Sequence, residues 1–215
     1  MQTGAVQQSG STDRGARRKQ RTRAALIAAA QEFLAQGRDH APIQQITEAA
    51  DVGLGSFYNH FASREELYAA AIADALDQHG ALLESVLADE TDPAVVFATS
   101  FRVTGRLHQV QPQLARLVRE LGVDLLTASD GLGPRARRDL LFAHEAGRLQ
   151  IPDIDVAMVH VIGAATALGQ VVANRSEADT ERIVDSVTEG LLRLLGMSEA
   201  EATRLCTLPL PTFEP

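Results

Sequence analysis

The chain has 215 residues, an ordinary apolar content and a net charge of −8, which suits one or two folded domains and excludes a uniformly basic coat for nucleic acid. One cysteine, Cys206, and no tryptophan are present, so no disulfide can close within the chain and a reducing, cytoplasmic setting fits. The polar, basic start has no apolar stretch and does not read as a secretory signal. Charge is unevenly distributed. Residues 1–68 carry eight basic and seven acidic side chains, and residues 69–215 carry twelve and twenty-one. Six of the basic residues lie in the first 23 positions, with Asp13 the single acid among them. A phosphate-rich partner would meet the N-terminal end and be repelled by the remainder.

Residues 1–16 are rich in Gln, Ser, Thr and Gly and read as a disordered polar and basic tail. The first helix is expected over 17–36. Leu26, Ala30, Phe33 and Leu34 form its apolar stripe, and Gly37 stops it. Pro42 suits the first turn of a second helix with Ile43, Ile46 and Ala50 inward. Asp51, Val52 and Gly53 make a turn. Leu54, Phe57 and Phe61 follow at helical spacing and are expected to face a small core. Ser63 caps the next helix, with Glu66 three residues on as its capping-box partner. That helix runs to about residue 87. Beyond it, helices are expected over 93–109, 112–126, 134–147, 153–174 and 176–196, with a short one after Ser198. No alternating strand pattern is longer than four residues. The class is therefore all-α: a three-helix, helix-turn-helix domain over 17–68, then a larger helical domain over 69–215.

A helix-turn-helix can place its second helix in the major groove of DNA. With Leu54, Phe57 and Phe61 inward, the opposite face carries Gly55, Ser56, Asn59 and His60, with Tyr58 at the flank. Asn, His and Ser can hydrogen-bond base edges, and Tyr58 can reach a phosphate or a thymine methyl. Gln44 begins the preceding helix and Arg64 the following one; both are candidates at the groove edge. Arg17, Arg18, Lys19, Arg21 and Arg23 could add phosphate or minor-groove contacts. The competing reading makes the cations a solubilising tail and Tyr58 and His60 solvated surface residues.

The stretch ITEAADVGLGSFYNHFASREEL resembles the DNA-binding domain of the tetracycline-repressor (TetR) family of bacterial regulators. The resemblance implies that the helix bearing Phe57 and Phe61 is the recognition helix. It implies DNA contacts for Ser56, Tyr58, Asn59 and His60, and a phosphate contact for Arg64. One departure is Ala41-Pro42, where the family commonly has Thr or Ser, so no hydroxyl is present there to anchor a phosphate. The resemblance also implies a C-terminal domain that binds a small-molecule effector and forms a homodimer. The expected function is then a repressor that binds a pseudo-palindromic double-stranded operator and is released by its effector.

In that domain, Val156–Ala173 is uncharged and apolar on nearly every side. It approaches the length of a membrane span, but His160, Gln170 and its small residues fit a buried helix better. Val159 and Gly163 on this helix, with Ile183, Val187, Leu191 and Leu194 on the last long helix, are the expected dimer interface. The competing reading is that both helices close the monomer core. Phe97, Phe101, His108, Leu117, Phe142 and His160 are the candidate effector contacts on the central helices. Arg102 and Arg106 share a helix face expected to be solvated. No enzyme motif is evident: Gly53-Leu-Gly55 lacks the third glycine and the preceding strand of a dinucleotide loop. No catalytic residue, cofactor, metal cluster or membrane partner is expected. The alternative function is a helical ligand-binding or scaffold protein that does not bind DNA.

Overall fold

The computed structural model describes residues 9–38, 40–107 and 131–211, which contain nine α-helices and no strand. The chain divides into two compact units, residues 1–74 and 75–215. The expected helix 112–126, with Leu117, and also His108, lie outside the described residues.

The first unit is built from α1 (Ser9–Ala35), α2 (Ile43–Ala49), α3 (Leu54–Tyr58) and the first half of α4 (Arg64–Val86). α1 starts within the stretch expected to be a tail. Extending a nucleated helix fixes one residue per added hydrogen bond, so it can propagate into residues of indifferent propensity. α1 ends at Gly37, whose φ of 70° is left-handed. Arg38 N–H then donates to Phe33 O at 2.9 Å, closing the helix end. The turn between α2 and α3 also needs a left-handed residue, and Asp51 supplies it at φ 53°. Asp is among the few non-glycine types that adopt this region readily. Ser63 Oγ accepts from Glu66 N–H at 3.1 Å, while Glu66 Oε2 accepts from Ala62 N–H at 2.6 Å. The capping box thus forms, with the carboxylate reaching one residue further back than expected.

Leu26, Ile27, Ala30 and Phe33 of α1 meet Ile46, Phe57, Phe61, Leu67 and Ala71 in one buried cluster. Gln31 Nε2 ties α1 to α4 through Ala71 O at 3.0 Å and Asp74 Oδ2 at 2.9 Å. Leu54 is a correction: it is 50% exposed. α3 has only five residues, and its first turn lies beyond the cluster's cover.

The second unit contains the rest of α4, then α5 (Pro93–Gly105), α6 (Leu132–Glu145), α7 (Ile154–Val172), α8 (Glu177–Leu194) and α9 (Glu199–Cys206). α5 is central and packs against α6, α7, α8 and α9. Asp92, Asp153, Ser176 and Ser198 each accept a backbone N–H at the helix start that follows them. Gly105 lets α5 approach closely: a Cβ there would lie 2.9 Å from Val184 Cγ1 and 3.0 Å from Leu168 Cδ2. Arg102 is another correction to expectation. It is only 4% exposed; its Nε donates to Asp185 Oδ1 at 2.8 Å and its guanidinium to Leu208 O at 2.8 Å. Arg106 donates to both oxygens of the same Asp185.

His79, on α4 within this unit, is buried, with its Nε2 3.3 Å from Thr104 Oγ1. Burial lowers its pKa from 6.5 to about 4. Between those values the unfolded chain binds more protons than the folded one, so stability falls as pH drops from about 6.5 to 4 and is unaffected above that window. The maximum loss is about 3 kcal/mol. Thermal midpoints at pH 7 and pH 4.5 should differ more for the wild-type protein than for His79→Gln; equal differences would refute this assignment.

Candidate DNA-reading surface and ligand cavity

Two apolar anchors fix the orientation of α3. Phe57 is fully buried and Phe61 nearly so, with ring centroids 6.0 Å apart. This turns Tyr58 and Asn59 outward; Tyr58 is 59% exposed, its ring edge-on to Phe57. Ser56 and His60 are half-buried at the sides of the same face. Gly53 and Gly55 have negative or unremarkable φ, and a Cβ at either would meet nothing within 4 Å. Their lack of a side chain is therefore not required by packing or by the turn; it leaves backbone uncovered at the start of α3. Gln44 is exposed on α2, hydrogen-bonded to Glu48 at 3.0 Å. Arg64 is half-buried and engaged within the unit, donating to His40 O at 3.2 Å and to Glu65 at 3.0 Å.

His60 lies near the cations of α1. Partial burial, followed by the charges of Lys19 and Arg23, lowers its pKa. The ring is neutral at neutral pH, with one donor and one acceptor nitrogen. The Arg23 guanidinium sits 5.2 Å over the Phe61 ring, a cation–π contact that holds α1 against the end of the reading helix.

In the second unit, a cavity of about 140 Å³ lies between α4, α5, α6 and α7. Three helices contribute at one repeated spacing: Gly80, Leu83, Glu84 and Leu87; Phe97, Ser100, Phe101 and Thr104; Leu132, Arg135, Ala136 and Asp139. Each set is i, i+3, i+4, i+7, a single helical face. Val96 and Arg138, beside those faces, and Val161, Ile162 and Ala165 of α7 complete the lining. Of the residues expected to touch a ligand, Phe97 and Phe101 line this cavity. Phe142 and His160 do not: both are exposed, on other faces of α6 and α7.

The charged side of the cavity was not anticipated. Arg135 pairs with Asp77 at 2.7 Å and with Glu84 at 2.5 Å, and Arg138 pairs with Glu84 and Asp139. Arg135 lies directly over Gly80, where a Cβ would be 2.5 Å from its Cδ and Nε. Its Nε is buried with no hydrogen-bond partner among the described residues. Burial opposes the charge on Glu84, but hydrogen bonds from Arg135 and Arg138 outweigh it and lower its pKa. Burial raises the pKa of Asp139, with Arg138 partly opposing. The available sequence signal was the shared face of Leu132, Arg135, Ala136 and Asp139, which mixes apolar and charged residues.

Among the residues expected at a dimer interface, Val159 and Leu194 are 57% and 56% exposed. Gly163 is exposed, and Ile183 and Val187 are half-buried. Leu191 is a correction: it is buried within its own unit. Its neighbour Leu192 is fully buried too, so the core takes this turn of α8 while Leu194 remains outside.

Comparison with known proteins accounts for both units. Residues 25–71 match the model of bacterial regulatory proteins of the tetR family, and residues 92–207 match that of a tetracyclin repressor-like C-terminal domain. The HTH-type transcriptional regulator TcmR of Streptomyces glaucescens is 31% identical over 185 residues, covering 78% of this chain and 80% of its own. The HTH-type transcriptional repressor DhaR of Mycobacterium sp. (strain GP1) is 37% identical over 65 residues, or 30% of this chain and 33% of its own. Among solved structures, RolR in complex with resorcinol is similar at 35% identity and a TM-score of 0.76, over 93% of this chain and all of that one. RolR without ligand gives 36% and 0.74, over 88% and 98%. A reading head and a cavity-bearing body matched in this order, over most of both lengths, leave one conclusion: the chain belongs to the tetracycline-repressor family of bacterial regulators, which repress transcription by binding DNA and respond to a ligand.

Proposed function

We propose that this regulator binds a pseudo-palindromic operator as a homodimer and is released by a small hydroxylated aromatic molecule held in the cavity of its second unit. The observation that carries the DNA half is the short helix α3, anchored by Phe57 and Phe61 with Ser56, Tyr58, Asn59 and His60 on its free face. In this reading Gln44, Gly55 and Arg64 flank those four at the groove edge, and residues 17–68 form the DNA-binding domain. Two such heads on a two-fold axis would enter successive major grooves.

The effector class is supported by the cavity. Its volume is close to that of an apolar cavity known to take a benzene ring. Phe97, Phe101, Val161 and Ile162 supply apolar walls, while Ser100, Thr104, the free Arg135 Nε and Asp139 supply polar points for ring hydroxyls. RolR, a similar protein, was solved with resorcinol, a dihydroxybenzene. α4 begins in the first unit and lines the cavity in the second, so it is the natural transmitter. The effector must bind the DNA-free state more tightly for release to occur.

The homodimer is supported by the exposed apolar face of α7 and α8, with Val156, Val159, Val171 and Leu194 outward. Val159→Glu should shift sedimentation from dimer to monomer without changing helix content. A dimer that persists would move the interface elsewhere.

The test uses purified protein and the DNA immediately upstream of its own reading frame, with a scrambled duplex as competitor. Specific binding, reversed by millimolar resorcinol as the first probe, supports the whole reading. Specific binding that a panel of mono- and dihydroxybenzenes leaves unchanged removes the effector class. Equal affinity for upstream and scrambled duplexes removes the upstream DNA as the operator.

A further inference from the structure

His79 shares the buried face of α4 with Leu76, Gly80 and Leu83, at the spacing of a single helical stripe. Its companions have no polar side chain, and packing alone would be served by another apolar residue. An imidazole placed here loses its hydration and needs a hydrogen-bond partner in return. Thr104 of α5 is that partner, with its Oγ1 3.3 Å from His79 Nε2. His79 does not line the cavity, but Thr104 does. The pair therefore joins a buried side chain behind the wall to a polar group in the wall.

The bond also redirects the threonine. Within a helix, a threonine hydroxyl has a ready acceptor in the carbonyl one turn back. Thr22 donates to Arg18 O at 3.1 Å and Thr188 to Val184 O at 2.8 Å in this way. The Thr104 hydroxyl meets α4 instead. Burial lowers the His79 pKa, so the ring is neutral at neutral pH, with one donor and one acceptor nitrogen. Whichever nitrogen carries the proton, a hydroxyl bonded to the ring keeps a further donor or acceptor position. Thr104 lies on the face of α5 that also bears Phe97, Ser100 and Phe101, while Arg135 and Asp139 belong to the α6 wall. The cavity thus has polar groups on two different helices.

We propose that His79 is a positioning residue for effector selection: it holds the Thr104 hydroxyl at the α5 wall of the cavity, where that hydroxyl recognises one ring hydroxyl of a bound aromatic molecule. The inference rests on the hydroxylated-aromatic class proposed for the effector. Without His79, the Thr104 hydroxyl turns back to Ser100 O one turn below, and the α5 wall loses a polar contact. Hydrogen bonds to charged groups are the stronger ones. A ring with a single hydroxyl therefore places it at the α6 wall, and the second hydroxyl is the one that the His79–Thr104 pair selects.

Calorimetry on the full-length protein at neutral pH compares resorcinol with m-cresol, in which a methyl group of similar size replaces one hydroxyl. Their affinity ratio reads recognition of that hydroxyl and should favour resorcinol in the wild type. His79→Leu and Thr104→Val should each lower resorcinol affinity by about 3- to 10-fold, the worth of one hydrogen bond, and leave m-cresol within about two-fold. Thr104→Ser keeps the hydroxyl and loses the methyl, so it should retain the wild-type ratio. The double variant should match Thr104→Val alone, because the two groups act as a unit. Additive losses, or equal losses on both probes, would make His79 a packing residue and overturn the proposal. A ratio that His79→Leu leaves unmoved would overturn it too. Should His79→Leu fail to fold, Thr104→Val and Thr104→Ser decide: an unchanged ratio in the first, or a lost one in the second, is fatal. A wild-type protein that binds neither probe removes the hydroxylated-aromatic class itself. Binding with an unmoved ratio in the variants removes only the role of His79.

Discussion

Replacing Phe57 by alanine will abolish operator binding by unfolding the first unit while the second stays folded. Phe57 is fully buried, touches the rings of Tyr58 and Phe61, and is the side chain through which the five-residue α3 holds to its core. Truncating a buried phenylalanine costs about 3–5 kcal/mol, the lost transfer energy plus the cavity left behind. A unit of some seventy residues has little margin, because small domains bury a smaller share of their surface. The loss is therefore comparable to the unit's whole stability. α3 is too short to persist alone, since isolated helices below about 12 residues are marginal in water. Two measurements check this. Operator affinity should fall to the background of a scrambled duplex. Hydrogen exchange should show loss of protection in α2, α3 and the second half of α1, with α5, α7 and α8 unchanged. Retained operator binding would mean that α3 is held by something other than this core.

The reading head was legible in the sequence because its determinants are local. The spacing of Phe57 and Phe61, the Ser63–Glu66 box and the stop at Gly37 each follow from residues within one or two turns. Leu54 departs from its expected place because helical spacing says which face a residue occupies, not where the covering core ends. The second unit was legible as helices but not as a site. Its cavity is assembled from α4, α5, α6 and α7, whose relative rotation no local pattern specifies. Phe142 was an aromatic on a central helix, yet it lies on the exposed side of α6 while the smaller Ala136 lines the cavity. The partner of Arg102, Asp185, is 83 residues away, beyond the reach of any local pattern. A charged residue on a helix whose other faces are apolar is as consistent with a buried pair as with a wet surface, and only the fold distinguishes them.

The same cavity yields a variant that should bind DNA and ignore its effector. Ala136 lies on the inward face of α6, between Leu132 and Asp139, with Arg135 beside it. Ala136→Phe places a benzene ring in a space of about 140 Å³, close to what such a ring requires. Adding bulk to a packed interior costs about 1–3 kcal/mol where no void exists. Here the void absorbs much of the ring, so the second unit should remain folded. The reading helix is untouched, and operator affinity should stay within a few-fold of wild type. What is lost is the difference in effector affinity between the two states. Allosteric coupling of this kind is typically about 1–3 kcal/mol, a 5- to 150-fold change in DNA affinity on saturation. In the variant that ratio should collapse to one, because a ligand that cannot enter cannot prefer either state. Operator titrations with and without saturating effector measure it directly. A variant that folds, binds operator and is still released would place the effector outside this cavity. A variant that loses operator binding without effector would mean that filling the cavity itself mimics the ligand, which would tie the cavity to the reading head more directly than release does.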